Sequence, residues 1–272
     1  MVNFQASTCL KDDRVLGYHL FVPSKLKHPR LLVLVHGRQT TPEAMIRLFA
    51  PIARTYGIAL LAPDFSDFQF KGYQQLRGSS GKDAAATALD TLARLQSNYL
   101  GLEEQRFDLF GFSAGAQFAH RFALALPNRT ARLIVAAAGW YTDLSCDRSF
   151  PRGLGRYRTH LKQFLQIPML LLVGERDCCK TDKSLRRSPD LDARQGEDRV
   201  SRARNWLEQI EQQSATYGLP CKARLAILPN TGHSLHEAVA LGGLEIAALK
   251  HLLADRDASA GKWTQRQRHS LN

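Results

Sequence analysis

Residues 107–126 read FDLFGFSAGAQFAHRFALAL, and this stretch decides the fold. It begins as an apolar run, turns at Gly111 and Gly115 around Ser113, and continues as an alanine-rich run typical of a buried helix. A sharp strand-to-helix turn needs small residues beside the serine and places its hydroxyl near the positive end of the helix. The pattern therefore indicates a strand–turn–helix unit with Ser113 as candidate nucleophile. A capping serine in a glycine-lined turn is the alternative.

Short apolar runs alternate with longer helical patterns along most of the chain. Turn and cap residues mark the boundaries, as where Thr41 and Pro42 precede one helical pattern and Gly57 follows it. Alternation of this kind predicts an α/β fold, with a mostly parallel central sheet and helices on both faces. The predicted strands are Val15–Val22, Leu31–His36, Ile58–Ala62, Phe107–Phe110, Leu133–Ala138, Met169–Val173 and Arg224–Leu228. The predicted helices are Pro42–Tyr56, Asp83–Gln96, Ala114–Leu126, Arg158–Gln166, Asp198–Tyr217 and Leu235–Leu253.

Two stretches, Asp64–Lys82 and Trp140–Tyr157, lack a clear period and are predicted as loops at the rim of the sheet. The second loop is short, which indicates a fairly open cleft without a large cap domain. Neither an internal repeat nor a low-complexity linker divides the chain. We therefore expect a single domain over residues 1–257 and a polar tail over residues 258–272.

The composition is typical of a globular protein. The chain has 272 residues, of which 44% are hydrophobic and 23% charged. No apolar run approaches the roughly 20 residues of a spanning helix, and the N-terminal residues lack the pattern of a secretory signal. The five cysteines include no C-x-x-C pair. These features predict a cytoplasmic protein with reduced thiols and no membrane span.

The formal net charge of +12 at pH 7 could favour an anionic partner. The basic residues are spread along the chain, however, without interleaved aromatic residues or a nucleic-acid-binding motif. The distribution favours a solvated basic surface and no specific nucleic-acid partner. A specific anionic partner is the alternative.

A nucleophilic serine needs a base that removes its proton and an acid that orients the base. Residues 169–177 read MLLLVGERD, an apolar run that ends in polar side chains, and Asp177 is our candidate acid. Glu175 and Asp182 are its rivals. Residues 225–233 read LAILPNTGH, an apolar run followed by a turn and His233, which is the candidate base.

Four motifs resemble those of α/β-hydrolase serine esterases: VHGR at 35–38, GFSAG at 111–115, VGERD at 173–177 and NTGHS at 230–234. The resemblance covers nearly the whole chain. Residues 195–206 with the later LPNTGH are similar to polyhydroxybutyrate-depolymerase-like and feruloyl-esterase-like hydrolases. In this superfamily the triad follows the chain order Ser, Asp or Glu, His. The resemblance therefore implies Ser113 as nucleophile, Asp177 as acid and His233 as base.

The resemblance also implies hydrolysis of a small-molecule carboxylic ester through an acyl-enzyme, without a metal or organic cofactor. Backbone N–H groups would stabilise the oxyanion. Ala114 would supply one, and Arg38, with Gln39 as rival, the other. His36 is expected to shape the loop rather than act as base. The residues expected to line the pocket are Phe112, Trp140, Tyr141 and Asp64–Phe70.

Other readings of the sequence have less support. Secreted relatives carry signal peptides and disulfides, so the absence of both patterns argues against an extracellular polymer as substrate. His233, His236 and Glu237 follow the order H-x-x-H-E, which differs from zinc-protease motifs. Residues 78–83 lack the first glycine of a phosphate loop. A thioesterase or peptidase with the same triad, and a non-catalytic ligand receptor on the same fold, stay open.

Overall fold

An eight-stranded sheet forms the centre of the protein. The computed structural model describes residues 2–10, 14–65, 68–76, 84–102, 104–144 and 148–254. The first two strands are antiparallel to their neighbours, and the remaining strands run parallel in the order β4-β3-β5-β6-β7-β8. The strands are β1 (Val2–Cys9), β2 (Val15–Val22), β3 (Leu32–Val35), β4 (Leu60–Asp64), β5 (Phe107–Phe112), β6 (Thr130–Ala136), β7 (Met169–Gly174) and β8 (Ala223–Leu228).

Helices cover both faces of this sheet, so the predicted α/β-hydrolase fold with a mostly parallel sheet is confirmed. Thr41 caps the first helix by accepting a hydrogen bond from the N–H of Ala44, and Gly57 ends it in the left-handed region. The helices are α1 (Pro42–Tyr56), α2 (Ala84–Tyr99), α3 (Ala114–Ala125), α4 (Leu161–Phe164), α5 (Pro189–Gln195), α6 (Arg199–Thr216), α7 (Leu235–Ala240) and α8 (helical over residues 244–254). None of the described helices is long and apolar enough to cross a membrane.

The parallel strands are buried on both faces, which explains their continuous apolar sequences. In β3, Val33 and Val35 pack in one core with α2, α3 and α6, whereas Leu32 and Leu34 pack in the other with α1, α7 and α8. The alternation of side chains along a strand thus divides one apolar run between two cores.

The order of the central strands determines where a site can form. The connection from β3 leads through α1 to β4 on one side, whereas β5 pairs with β3 on the other side. The carboxyl ends of β3 and β5 therefore diverge at a topological switch point, where open α/β sheets bind their ligands. Ser113 directly follows β5, and Gly37 lies two residues beyond β3.

One strand and one α-helix were not predicted. Strand β1 pairs with β2 over its whole length at the edge of the sheet, but its alternation of half-buried Phe4 and Ala6 with exposed polar residues is weak in sequence. Helix α5 is short and polar, so it has no apolar period. Its start does carry a capping signal, because Ser188 accepts a hydrogen bond from the N–H of Leu191 and Pro189 follows.

Two predicted helices differ from those observed. The helix predicted over Leu235–Leu253 is divided into α7 and α8, because Gly243 adopts a positive φ of 63° between them. The segment predicted as Arg158–Gln166 begins as a 3-10 helix, Gly155–His160, and continues as the short α4. Residues 258–272, predicted as a polar tail, lie outside the described residues.

The glycines of GFSAG are required by close backbone contacts. A Cβ at Gly111 would overlap the backbone of Gly115, and a Cβ at Gly115 would overlap the carbonyl oxygen of Val35. The turn thus holds β5, α3 and the end of β3 closer together than any other residue allows.

We expect Gly115→Ala to lower the free energy of unfolding by about 3 kcal/mol or more, at the upper end of the cost of overpacking, because rigid backbone surrounds the site. Urea denaturation measures this change. Gly139→Ala is the control, since its Cβ would meet only the flexible end of Gln117. Equal stability of the two variants would show that the close packing around Gly115 is not essential.

Candidate active site

Ser113 occupies the turn between β5 and α3 in an unusual backbone conformation. Its φ is 54° and its ψ −112°, and its N–H donates to the carbonyl of Ala136 on the neighbouring strand at 2.8 Å. A positive φ costs a non-glycine residue free energy, so the surrounding packing must hold it. The turn directs the hydroxyl into a cavity at the carboxyl edge of the sheet.

The structure brings Ser113, His233 and Asp177 into one hydrogen-bonded chain. Ser113 Oγ lies 3.0 Å from His233 Nε2, and His233 Nδ1 lies 2.7 Å from Asp177 Oδ2. Because a carboxylate only accepts, Nδ1 carries the proton and Nε2 is free to accept from the serine hydroxyl. The three side chains come from turns after β5, β7 and β8, which are separated in sequence but meet at one edge of the sheet.

Asp177 is also held by a buried arginine. Arg199, at the start of α6, donates from Nη1 to Asp177 Oδ1 at 3.0 Å and to Asp182 Oδ2 at 2.7 Å, and from Nη2 to Ser184 Oγ at 2.7 Å. Arg199 and Asp177 are both almost fully buried. The guanidinium thus fixes the oxygen of Asp177 that does not face His233.

The two rival acids have other partners. Partial burial opposes ionisation of Asp182, but hydrogen bonds from Arg199 and Ser184 lower its pKa to about 2. Glu175 accepts from the N–H of Asn230 at 3.0 Å and so fixes the turn before His233. Asp182 thus holds Arg199, and Glu175 holds the turn at Asn230. Neither carboxylate contacts the imidazole of His233.

The loop after β3 passes beside the nucleophile. A Cβ at Gly37 would lie 3.2 Å from the Cβ of Ser113, and the N–H of Gly37 donates to Thr40 Oγ1 at 2.7 Å. The N–H groups of Arg38 and Gln39 have no acceptor in the part of the chain that the structure describes. Both residues line the cavity together with Ala114. Their N–H groups are therefore two candidates for the second oxyanion donor, beside the N–H of Ala114 at the start of α3.

His36 holds this loop in place. Its Nδ1 donates to the carbonyl of Gly37 at 2.8 Å, and its Nε2 accepts from the N–H of Phe65 at 3.1 Å. Burial lowers the pKa of His36, which favours the neutral imidazole that this pattern requires. Tyr73 adds a hydrogen bond to the carbonyl of His36 at 2.8 Å. The side chain of His36 is thereby engaged in shaping the loop.

The cavity above Ser113 has a volume of about 550 Å³. Phe112 forms part of its wall and stacks on His233, with ring centroids 5.4 Å apart. Trp140 lines the cavity as well. The other side is polar, with Gln74, Gln117 and Arg186.

Other sequence-based expectations about the pocket need correction. Tyr141 is fully buried and stacks on Trp206, so it belongs to the core rather than the cavity wall. From Asp64–Phe70, the described side chains do not line the cavity, because Phe65 and Phe70 pack against each other in the core. Residues 66–67 lie outside the described residues. The sequence indicated which loops lie at the rim of the sheet, but it did not show which of their side chains line the cavity and which pack in the core.

Gln74 and Arg199 were missed. Gln74 is 95% buried, since only 5% of its surface is exposed, and it lines the cavity. Its side-chain amide has no hydrogen-bond partner among the described residues. Gln74 lies in a segment without an apolar period or a known motif. Arg199 lies within residues 195–206, but the resemblance of that stretch assigned no role to the arginine. Arg199 followed a recognisable capping residue, Asp198, but its burial depends on the tertiary structure.

His233, His236 and Glu237, whose order was compared with zinc-protease motifs, do not form a metal-binding group among the described residues. Within residues 2–254, wherever the structure is described, no three His, Cys, Asp or Glu side chains are grouped to hold an ion. His236 is exposed one helical turn after His233. Cys9, Cys178, Cys179 and Cys221 are free thiols, and Cys146 lies outside the described residues.

Comparison with known structures supports the fold assignment. A poly(aspartic acid) hydrolase-1 from Sphingomonas sp. KT-1 has a TM-score of 0.76 and 22% identity, over 85% of this chain and 93% of that one. A poly(3-hydroxybutyrate) depolymerase from Bordetella parapertussis has a TM-score of 0.74 and 26% identity, over 85% of each chain. An S-formylglutathione hydrolase from Staphylococcus aureus has a TM-score of 0.61 and 12% identity, over 92% and 98%.

Comparison by sequence gave no match, either to a family model or to a curated protein. The structural neighbours are hydrolases that include esterases and depolymerases, and the predicted resemblance to α/β-hydrolases of this kind is confirmed.

Proposed function

We propose that this protein is a serine hydrolase that cleaves carboxylic esters through an acyl-enzyme intermediate. The observation that carries the proposal is the continuous contact from Ser113 through His233 to Asp177. Hydrogen-bonded geometry of this type activates a serine hydroxyl, which is otherwise a weak nucleophile at neutral pH. The hydrolases among the structural neighbours support the same class of reaction.

In the first half-reaction, Ser113 Oγ attacks the ester carbonyl while His233 Nε2 takes its proton. The positive charge on the imidazolium is balanced by Asp177, which Arg199 holds in place. His233 then donates the proton to the leaving alcohol as the bond between carbonyl carbon and alkoxy oxygen breaks. In the second half, His233 takes a proton from water as the water oxygen attacks the acyl carbon. The bond from that carbon to Ser113 Oγ then breaks, His233 returns the proton to Oγ, and the carboxylic acid leaves.

The negative oxygen formed in each tetrahedral intermediate needs preorganised donors. We assign the N–H of Ala114 at the start of α3 as one donor and the N–H of Arg38 as the other, with Gln39 as rival. Gly37 lets this loop approach Ser113 closely. A donor of this kind typically contributes about 10²–10³ in turnover.

The proposal is tested with 4-nitrophenyl esters of increasing acyl length and with a fluorophosphonate inhibitor. We expect hydrolysis of at least the short esters, and stoichiometric inhibition that adds one phosphonyl group to the peptide containing Ser113. Mass spectrometry of the digested protein locates the adduct, and heat-denatured protein is the control. Hydrolysis that persists after complete labelling, or that stops with EDTA, would refute the serine mechanism.

A further inference from the structure

A second cavity adjoins the cavity of Ser113. It has a volume of about 380 Å³ and shares Trp140 and Arg186 with the first. These two residues therefore form the boundary between the nucleophile's cavity and the second one. The two cavities are therefore adjacent, with Trp140 and Arg186 contacting both.

Arginines dominate the lining of the second cavity. Arg148, Arg152, Arg186 and Arg194 all contribute to it. Neither Arg152 nor Arg186 has a carboxylate partner within the described ranges of the chain. Arg186 instead lies over the ring of Trp140, with its guanidinium carbon 5.5 Å from the ring centroid.

The acidic residues of this cavity are already engaged with the other arginines. Asp190 accepts hydrogen bonds from Arg148 at 2.5 and 2.7 Å and from Arg194 at 3.1 Å. Asp143 is 97% buried, with 3% of its surface exposed, and lies 3.7 Å from Arg194. Among the described residues of this cavity, no carboxylate is therefore paired with Arg152 or Arg186.

The Ser113 cavity has the same sign of charge. Its other charged residues are Arg38, which has no carboxylate partner among the described residues, and Arg199, which is neutralised by Asp177 and Asp182. The described residues that line this cavity include no Asp or Glu. A concave surface of one sign concentrates its potential and attracts ligands of the opposite sign.

We propose that the second cavity is a subsite for a carboxylate carried by the substrate, and that the enzyme therefore prefers anionic esters. The proposal rests on the proposed ester hydrolase function, because it names the substrate class of that site. Guanidinium groups bind carboxylates through paired, charge-assisted hydrogen bonds. Trp140 supplies the apolar surface for the carbon chain between the ester and the carboxylate.

Matched ester pairs test this preference on both sides of the ester bond. The 4-nitrophenyl monoester of adipic acid differs from 4-nitrophenyl hexanoate by a terminal carboxylate in the acyl part. In the second pair, 3-carboxypropyl butanoate differs from butyl butanoate in the alcohol part. We expect kcat/KM to be at least about tenfold higher for the anionic ester of one pair, or about 1.4 kcal/mol. The ratio should decrease in 0.5 M NaCl, because salt screens the attraction.

Arg186→Gln and the double variant with Arg152→Gln should lower this ratio about tenfold, since they remove the positive charges of these arginines. Arg204→Gln is the matched control. Arg204 is exposed on α6 and lines neither cavity, but its loss changes the net charge equally. An unchanged ratio in the Arg186 variants, or an equal decrease in the control, would overturn the proposal.

Binding of adipate to the Ser113→Ala protein, measured by calorimetry, separates the subsite from the catalytic function. We expect saturable binding that Arg186→Gln weakens and Arg204→Gln does not. If no ester is hydrolysed but adipate binds in this way, the proposed function fails and the subsite stands. If neutral esters are hydrolysed at least as well as anionic ones and adipate does not bind, the subsite fails and the hydrolase function stands.

Discussion

Ser113→Ala is expected to abolish ester hydrolysis, with kcat falling by about 10⁶. Without the hydroxyl, no acyl-enzyme forms, and His233 has no nucleophile to activate at its 3.0 Å contact. The loss should appear fully in kcat, because the ester can still enter the cavity. Stopped assays at high enzyme concentration measure the residual rate, and circular dichroism checks that the fold is retained.

Ser214→Ala is the matched control for this change. Ser214 is buried on α6, its Oγ has no hydrogen-bond partner among the described residues, and it does not line the cavity. Removing an unsatisfied buried hydroxyl is close to neutral for stability, so this variant should keep wild-type kcat. Activity of Ser113→Ala within tenfold of wild type would disprove the nucleophile assignment.

Asp177→Asn should lower kcat by about 10⁴, the effect known for the same change in a comparable triad. Here the position of Arg199 gives a specific reason. A guanidinium can only donate, so the amide oxygen of Asn would face Arg199 and its NH₂ group would face His233 Nδ1. The imidazole would then carry its proton on Nε2, where it cannot accept the proton of Ser113.

Asp182→Asn distinguishes the proposed acid, Asp177, from its rival Asp182. Asp182 contacts Arg199 and Ser184 but not His233, so its loss should lower kcat by less than about tenfold, or 1.4 kcal/mol. Both variants are compared with the same ester at saturation. A larger effect of Asp182→Asn than of Asp177→Asn would reverse the assignment of the acid.

Much of the fold could be predicted because its central strands are buried on both faces. Strands such as β5 and β7 are continuous apolar runs that end in turns, and those turns carry Ser113 and Asp177. Buried parallel strands also fix which turns meet, because their carboxyl ends lie at one edge of the sheet. The candidate triad could thus be inferred from the order of residues alone.

The rest depends on contacts between distant segments. Tyr141 and Trp140 are neighbours in sequence, yet one packs in the core and the other lines the cavity, and no local pattern distinguishes them. Arg199 reads as a surface charge on a polar helix until its burial against Asp177 is known. At the edge of the sheet, β1 has neither the continuous apolar run of the central strands nor a strong alternation of apolar and polar residues.

The bridging position of Arg199 has a consequence for changing the specificity of this protein by loop exchange. One guanidinium ties Asp177 to Asp182 and Ser184, and Ser184 and Arg186 belong to the cavity wall. A graft that replaces the wall between β7 and α6 therefore also moves the side chain that holds Asp177, the proposed triad acid. Within the described part of the chain, the wall at Gln74 and Gln75 contributes no hydrogen bond to the candidate triad, so libraries for new substrates should begin there.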